Sequence, residues 1–218
     1  MRKIYTIFIT LLVAVTITAQ STYTFKTVKE NPITSVKNQS STGTCWSFSG
    51  VGLLESELIR MGKGTFDLSE MYIVRKNYED KAKKYARLHG NLNFAAGGSF
   101  ADVVETINDF GIMPNDVYEG LNYGSETHDH GELDKVLAGY MNGIIGARGL
   151  SPVWFDGFSA ILDTYLGEVP ETFTYNGTEY TPHTFKQYLG LNQEDYISLT
   201  SFSHQPFYTA FPVEVPDN

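Results

Sequence analysis

One cysteine, Cys45, stands in the whole 218-residue chain. An intramolecular disulfide is therefore excluded, and stability must come from the core. Basic residues are also scarce: 16 Lys and Arg face 25 Asp and Glu, giving a formal charge of −9. Their one local cluster is Lys81-Ala82-Lys83-Lys84. Nucleic-acid binding needs a basic stripe, so no nucleic-acid partner is expected. Internal repeats and low-complexity tracts are absent, which excludes solenoids and fibrous arrays. What is present suits a globular fold. The 42% hydrophobic and 14% aromatic residues provide a packed core for one sizeable domain or two small ones.

The N-terminus reads as a targeting segment. Arg2 and Lys3 precede an apolar run from Ile4 to Ile17, followed by Thr18-Ala19-Gln20. This is the charged, apolar and small-residue order of a secretory signal peptide, here residues 1–19 with cleavage after Ala19. The run is short for a bilayer core of ~30 Å, although an uncleaved anchor is the alternative. An exported protein without stable membrane insertion is expected: periplasmic, secreted or on the cell surface. A single thiol there is a liability unless it is buried or used.

Beyond residue 19 the pattern is mostly helical. Residues 20–44 alternate as an extended segment, with Tyr23, Phe25, Val28 and Val36. Phe48, Val51, Leu54 and Leu58 then recur at helical spacing, and Gly62 and Gly64 stop them. A second helix is predicted from Ser69 to Leu88 on the stripe Met71, Val74, Tyr78, Ala82 and Tyr85. A third follows Gly97-Gly98, with Ser99 as its cap and Asp102 at the capping-box position. Leu133–Ile145 forms a fourth, and Ser151-Pro152 reads as the cap and first residue of a fifth ending at Gly167. Thr172–Thr181 around Asn176-Gly177 reads as a tight hairpin, and a short helix follows from Pro182 to Leu189.

The segment Gln39-Ser-Ser-Thr-Gly-Thr-Cys45-Trp46-Ser47-Phe48-Ser49 carries the chemistry. It places the cysteine at a helix start, where unpaired N–H groups and the positive dipole end favour a thiolate. Attack on a carbonyl creates an oxyanion, and the Cys45 N–H and the Gln39 amide are candidate donors. One such donor is worth roughly 3 kcal/mol. Gly43 would permit close approach of backbone and substrate. The competing reading is a small buried cysteine in a core helix, with Trp46 as packing.

Gln39, Cys45, Trp46, Phe48 and Ser49 resemble the nucleophile segment of papain-like cysteine peptidases. Leu68-Ser69-Glu70 resembles the start of that family's second helix. Gly97-Gly98, with the helix before Phe110-Gly111-Ile112-Met113-Pro114, resembles its substrate-pocket segment. Lys37-Asn38-Gln39, Gly43-Thr44 before Cys45, Thr42 in place of a disulfide cysteine, Leu189-Gly190-Leu191 and Asp195–Leu199 are similar to the bleomycin hydrolase and aminopeptidase C branch. The likeness covers residues 33–218, and the export signal departs from that largely intracellular branch. It implies an α+β, papain-like fold: a helical half with the nucleophile helix at 45–61, the Gly-Gly pocket at 97–98 and a helical insertion at about 113–190. It also implies a cysteine-type aminopeptidase acting on peptides through an acyl-enzyme. In these roles Cys45 is the nucleophile, Gln39 the oxyanion donor, and Gly97 and Gly98 the binders of substrate backbone. No metal or organic cofactor is implied, and self-association is.

A thiol peptidase also needs a histidine, oriented by Asn or Asp. His183 and His204 lie roughly 140 and 160 residues downstream of Cys45, near the spacing in papain-like enzymes. Their contexts, a helix start and a Ser-His-Gln-Pro loop, do not match the family's apolar strand. The branch carries its His and Asn further on, so residues 20–218 are expected to be the N-terminal part of the peptidase domain, with the β-rich half largely absent. The alternatives are a non-catalytic binding or assembly module, and a papain-type endopeptidase using His183 or His204. His128-Asp129-His130 lacks a third metal ligand at recognisable spacing and reads as a solvated loop. The sequons at Asn38 and Asn176 read as chance, the second explained by its turn.

Overall fold

The computed structural model describes residues 25–201 and 203–211. The expected signal segment lies outside them. Residues 25–31 belong to a separate unit, exposed and without helix or strand. Among the described residues, the strand-like alternation expected over 20–44 forms no regular strand pairing. In the following unit Val36 is 94% exposed, and the one bridge nearby is an isolated parallel pairing of Ser41 with Asp129. Alternation makes a strand only where an edge accepts its hydrogen bonds.

From Pro32 onward the described residues are helical with one hairpin. The elements are α1 (Cys45–Arg60), α2 (Glu70–Arg87), α3 (Phe100–Phe110), α4 (Gly131–Ile145), α5 (Trp154–Leu166), β1 (Phe173–Tyr175), β2 (Thr178–Tyr180), α6 (Pro182–Leu189) and a 3₁₀ turn at Gln193–Asp195. The two strands pair antiparallel, with Thr174 opposite Glu179. Asn176 and Gly177, at φ 49° and 79°, close them with the left-handed geometry such a two-residue turn requires. This is the helical half that the resemblance implies, and no β-rich half is among the described residues. No described helix is long and apolar enough to cross a membrane.

Helix α2 is the hub, packing against α1, α3, α4 and α5. Ser69 caps it by accepting from the Tyr72 N–H at 2.9 Å, and its own N–H donates to the Met113 carbonyl. Arg75, nearly buried, donates to Glu79, to Asp163 on α5 and to the Gly167 carbonyl, tying the helices by charge as well as packing. Helix α3 crosses α1 closely because Gly50 has no side chain: a β-carbon there would lie 2.7 Å from Val103 Cγ2. The hairpin and α6 close over Phe185, fully buried among Phe66, Phe173, Tyr175 and Tyr180. Burying such a ring stabilises by roughly 1.5–3 kcal/mol.

Helix α5 starts later than the sequence reading has it. Ser151 and Pro152 form a preceding turn in which Ser151 O accepts from the Trp154 N–H, and Val153 takes the cap position. The described residues after the 3₁₀ turn form neither helix nor strand, and Ile197 and Leu199 are more than four-fifths exposed.

Candidate active site

Cys45 is the first residue of α1 and is exposed. The buried-cysteine alternative is thereby removed, because the residues that face the core are its neighbours Trp46 and Ser47. The loop before it is closed on itself. Gln39 Nε2 donates to the Thr42 carbonyl at 2.7 Å, and Thr42 Oγ1 returns a bond to the Gln39 carbonyl at 3.0 Å. An amide nitrogen carries two N–H groups, so this bond orients the Gln39 amide and leaves a second donor. Asn38 Oδ1 accepts from the Ser40 N–H, holding Ser40 at φ 54°. Thr44, fully buried, starts the helix by accepting from the Ser47 and Phe48 N–H groups.

Both sides of the loop are anchored. On one, Lys37 pairs with Asp67 and lies 3.6 Å from the fully buried Glu55. Glu55 also accepts from Thr34 Oγ1 at 2.5 Å and the Leu68 N–H at 2.8 Å. Glu70, close to these acids and 4% exposed, has its carboxyl pushed up to about 7 by burial. On the other side, Ser41 exchanges backbone bonds with the His128–His130 segment: its N–H donates to His128 O, and its carbonyl accepts from the His130 N–H.

The Gly97-Gly98 segment lies against the same helix start. Trp46 is 6% exposed, and its Nε1 donates to the Ala96 carbonyl at 2.9 Å. A β-carbon on Gly98 would sit 2.6 Å from the Trp46 ring, and one on Gly43 would sit 2.8 Å from Ala96 Cβ. Gly97 faces open space. The structure therefore brings Gln39, Cys45 and the two glycines into one neighbourhood, and it separates the glycines' roles. Gly98 permits the close approach to Trp46, while Gly97 presents bare backbone.

Lys81 on α2 was legible only as part of a charge cluster, yet it is 3% exposed and donates to the Ala95 and Gly97 carbonyls. Burial pulls its ammonium below the usual lysine range, with Asp102 acting in the opposite sense. Nothing in a helical Lys-Ala-Lys-Lys run distinguishes this lysine from half-buried Lys83 and exposed Lys84.

The histidines divide. His183 is exposed in the first turn of α6, against Gly111 at the end of α3. Gly98 lies at the other end, so the 11 residues of α3, about 16 Å, stand between them. His204 is exposed in a turn, with its ring 6.4 Å from Phe211. The solvated-loop reading of His128-Asp129-His130 is corrected by the burial of His130, which is 0% exposed. The segment is drawn inward by its pairing with Ser41. Neither ring nitrogen of His130 has a partner among the described residues, and burial followed by the nearby His128 pulls its imidazole down to about 4. No group of three His, Cys, Asp or Glu side chains among the described residues is placed to hold a metal.

A family model described as papain family cysteine protease matches residues 20–136, more than half of the chain. The chain belongs to the papain family of cysteine proteases. That match spans Gln39, Cys45, Gly97 and Gly98 and ends within α4. Among solved structures the chain is similar to PepW from Lactobacillus rhamnosis HN001, at 22% identity and a TM-score of 0.55. The likeness covers 79% of this chain and 48% of that one, so the papain-family chain described here spans about half the length of that neighbour. It supports the fold. No curated protein matches.

Proposed function

We propose that the protein is an exported cysteine-type aminopeptidase of the bleomycin hydrolase and aminopeptidase C branch. Residues 20–218 form its nucleophile-bearing part, with residues 1–19 as a cleaved signal. The observation that carries the reading is the exposed Cys45 at the first residue of α1, beside an oriented Gln39 amide and the bare Gly97 backbone. The Cys45 sulfur attacks the peptide carbonyl carbon, forming a C–S bond and an oxyanion that the Gln39 amide and the helix-start N–H groups receive. The C–N bond then breaks, and the amine leaves with a proton from a general acid. Water next hydrolyses the thioester, releasing the acid and restoring the thiol. The position of His183 favours a general acid supplied from outside the described residues. Peptides are the substrates, and self-association is part of the reading by resemblance alone.

The test compares the native protein with Cys45→Ala on two peptide amides, one with a free amino terminus and one blocked. Turnover of the free peptide alone, lost roughly 10⁴-fold or more in the variant, is expected. Equal turnover of both peptides replaces the aminopeptidase with an endopeptidase. Turnover that persists without Cys45 ends the peptidase reading.

A further inference from the structure

Lys81 is an unusual occupant for its position. Its ammonium sits 3% exposed on a helix that otherwise uses this face for Tyr78 and Ala82. Desolvating an ammonium is costly unless carbonyls or carboxylates replace its water. No salt bridge involving Lys81 is found among the described residues. Its hydrogen-bond partners are two backbone carbonyls, Ala95 at 3.0 Å and Gly97. The carbonyl between them, Ala96, is taken by the Trp46 indole from α1 at 2.9 Å. Three successive carbonyls of the segment that lies against Trp46 and Gly43, the flanks of Cys45, are thus gripped from two helices. The segment has no strand pairing of its own.

We propose that Lys81 is the positioning residue for the Gly97-Gly98 segment, holding it as a rigid ledge on which the backbone of a peptide is aligned with Cys45. The assignment rests on the peptidase reading above. Lys81 touches no substrate. It acts by fixing carbonyl directions, which leaves the remaining polar groups of Gly97 and Gly98 preoriented for an extended chain. A methionine there would fill the space and abandon both carbonyls. The cost would fall on alignment of a peptide rather than on the reactivity of the thiol.

Two reagents that alkylate Cys45 separate these effects in the full chain. Iodoacetamide reads thiol reactivity alone. A dialanyl chloromethyl ketone forms the same C–S bond, with loss of chloride, but must first dock its peptide. For Lys81→Met, the inhibition constant of the chloromethyl ketone is expected to rise about tenfold, as for loss of charge-assisted hydrogen bonds, with the iodoacetamide rate within about twofold of native. Lys81→Arg, which keeps donors on a long stem, is expected to recover part of the loss. If Lys81→Met does not fold, Lys81→Arg and Trp46→Phe are read instead. Each is expected to raise the peptide reagent's constant selectively. An unchanged constant, or a raised constant accompanied by an equal loss of the iodoacetamide rate, overturns the assignment and leaves Lys81 a structural residue. A native protein that shows no preference for the peptidyl reagent overturns the assignment and the peptidase reading together.

Discussion

Two adjacent glycines near Cys45 illustrate how much one missing methyl group decides. Gly98 has its α-carbon against the Trp46 indole, whereas Gly97 opens to solvent. Gly98→Ala is therefore expected to cost about 1–3 kcal/mol, because a β-carbon 2.6 Å from a buried ring forces the ledge or the indole aside. Gly97→Ala is expected to stay within about 0.5 kcal/mol. Urea denaturation of the two variants measures the difference, and equal losses would show that the Trp46 contact does not constrain the segment. The sequence marks both glycines, but only as one motif. Nothing in the order of residues tells which of two neighbours lies under a ring 52 positions away.

At the scale of elements, the helices were legible because their apolar residues recur at 3.6-residue spacing between recognisable caps. Ser69, Ser99 with Asp102, the Asn176-Gly177 turn and Thr181-Pro182 all mark the ends that the structure shows. Ser151-Pro152 misplaced the start of α5 because the same dipeptide also makes a turn that precedes a helix. How the helices lock together was not legible. Arg75 joins α2 to α5 through Glu79, Asp163 and the Gly167 carbonyl, and its partners lie up to 92 positions away. Arg75→Met is expected to destabilise by roughly 1–3 kcal/mol, since buried Glu79 is left with Lys76 alone and the Gly167 carbonyl loses its charged donor. Arg75→Met combined with Glu79→Gln is expected to recover a large part of that loss. Chemical denaturation of the single and double variants tests the knot, and additive losses would refute the coupling.

For the whole molecule, stability against pH reports two buried groups of opposite sense. Burial raises the folded Glu70 carboxyl from 4.5 to about 7. Its contribution is full below pH 4.5 and is lost as pH rises towards 7. The folded His130 imidazole is lowered from 6.5 to about 4. Its contribution is full above pH 6.5 and is lost as pH falls towards 4. Each is worth on the order of 3 kcal/mol, so the two slopes oppose one another between about pH 4.5 and 6.5. His130→Phe is expected to unmask a fall in stability with rising pH, and Glu70→Gln a rise. Urea midpoints measured from pH 4 to 7.5 check both signs, and parallel profiles for the two variants would sink the account. Acid also charges the segment paired with Ser41, so loosening of the Gln39–Cys45 loop is expected to accompany the loss.

By itself, the order of residues determined the helices and their caps, the hairpin turn and the Cys45 segment with its family resemblance. Those signals are local: an apolar period, a cap or a spacing within a dozen residues is complete in the chain. Only the tertiary structure decided that Cys45 is exposed while Trp46 is buried, and that Gly98 rests on an indole. It also decided that Lys81 leaves its cluster to hold two carbonyls, and that His130 is inside and His183 stands a helix away from the site. Each of these depends on which surfaces meet across long separations. That outcome follows from burying apolar faces together and satisfying every polar group caught between them, which no single segment encodes.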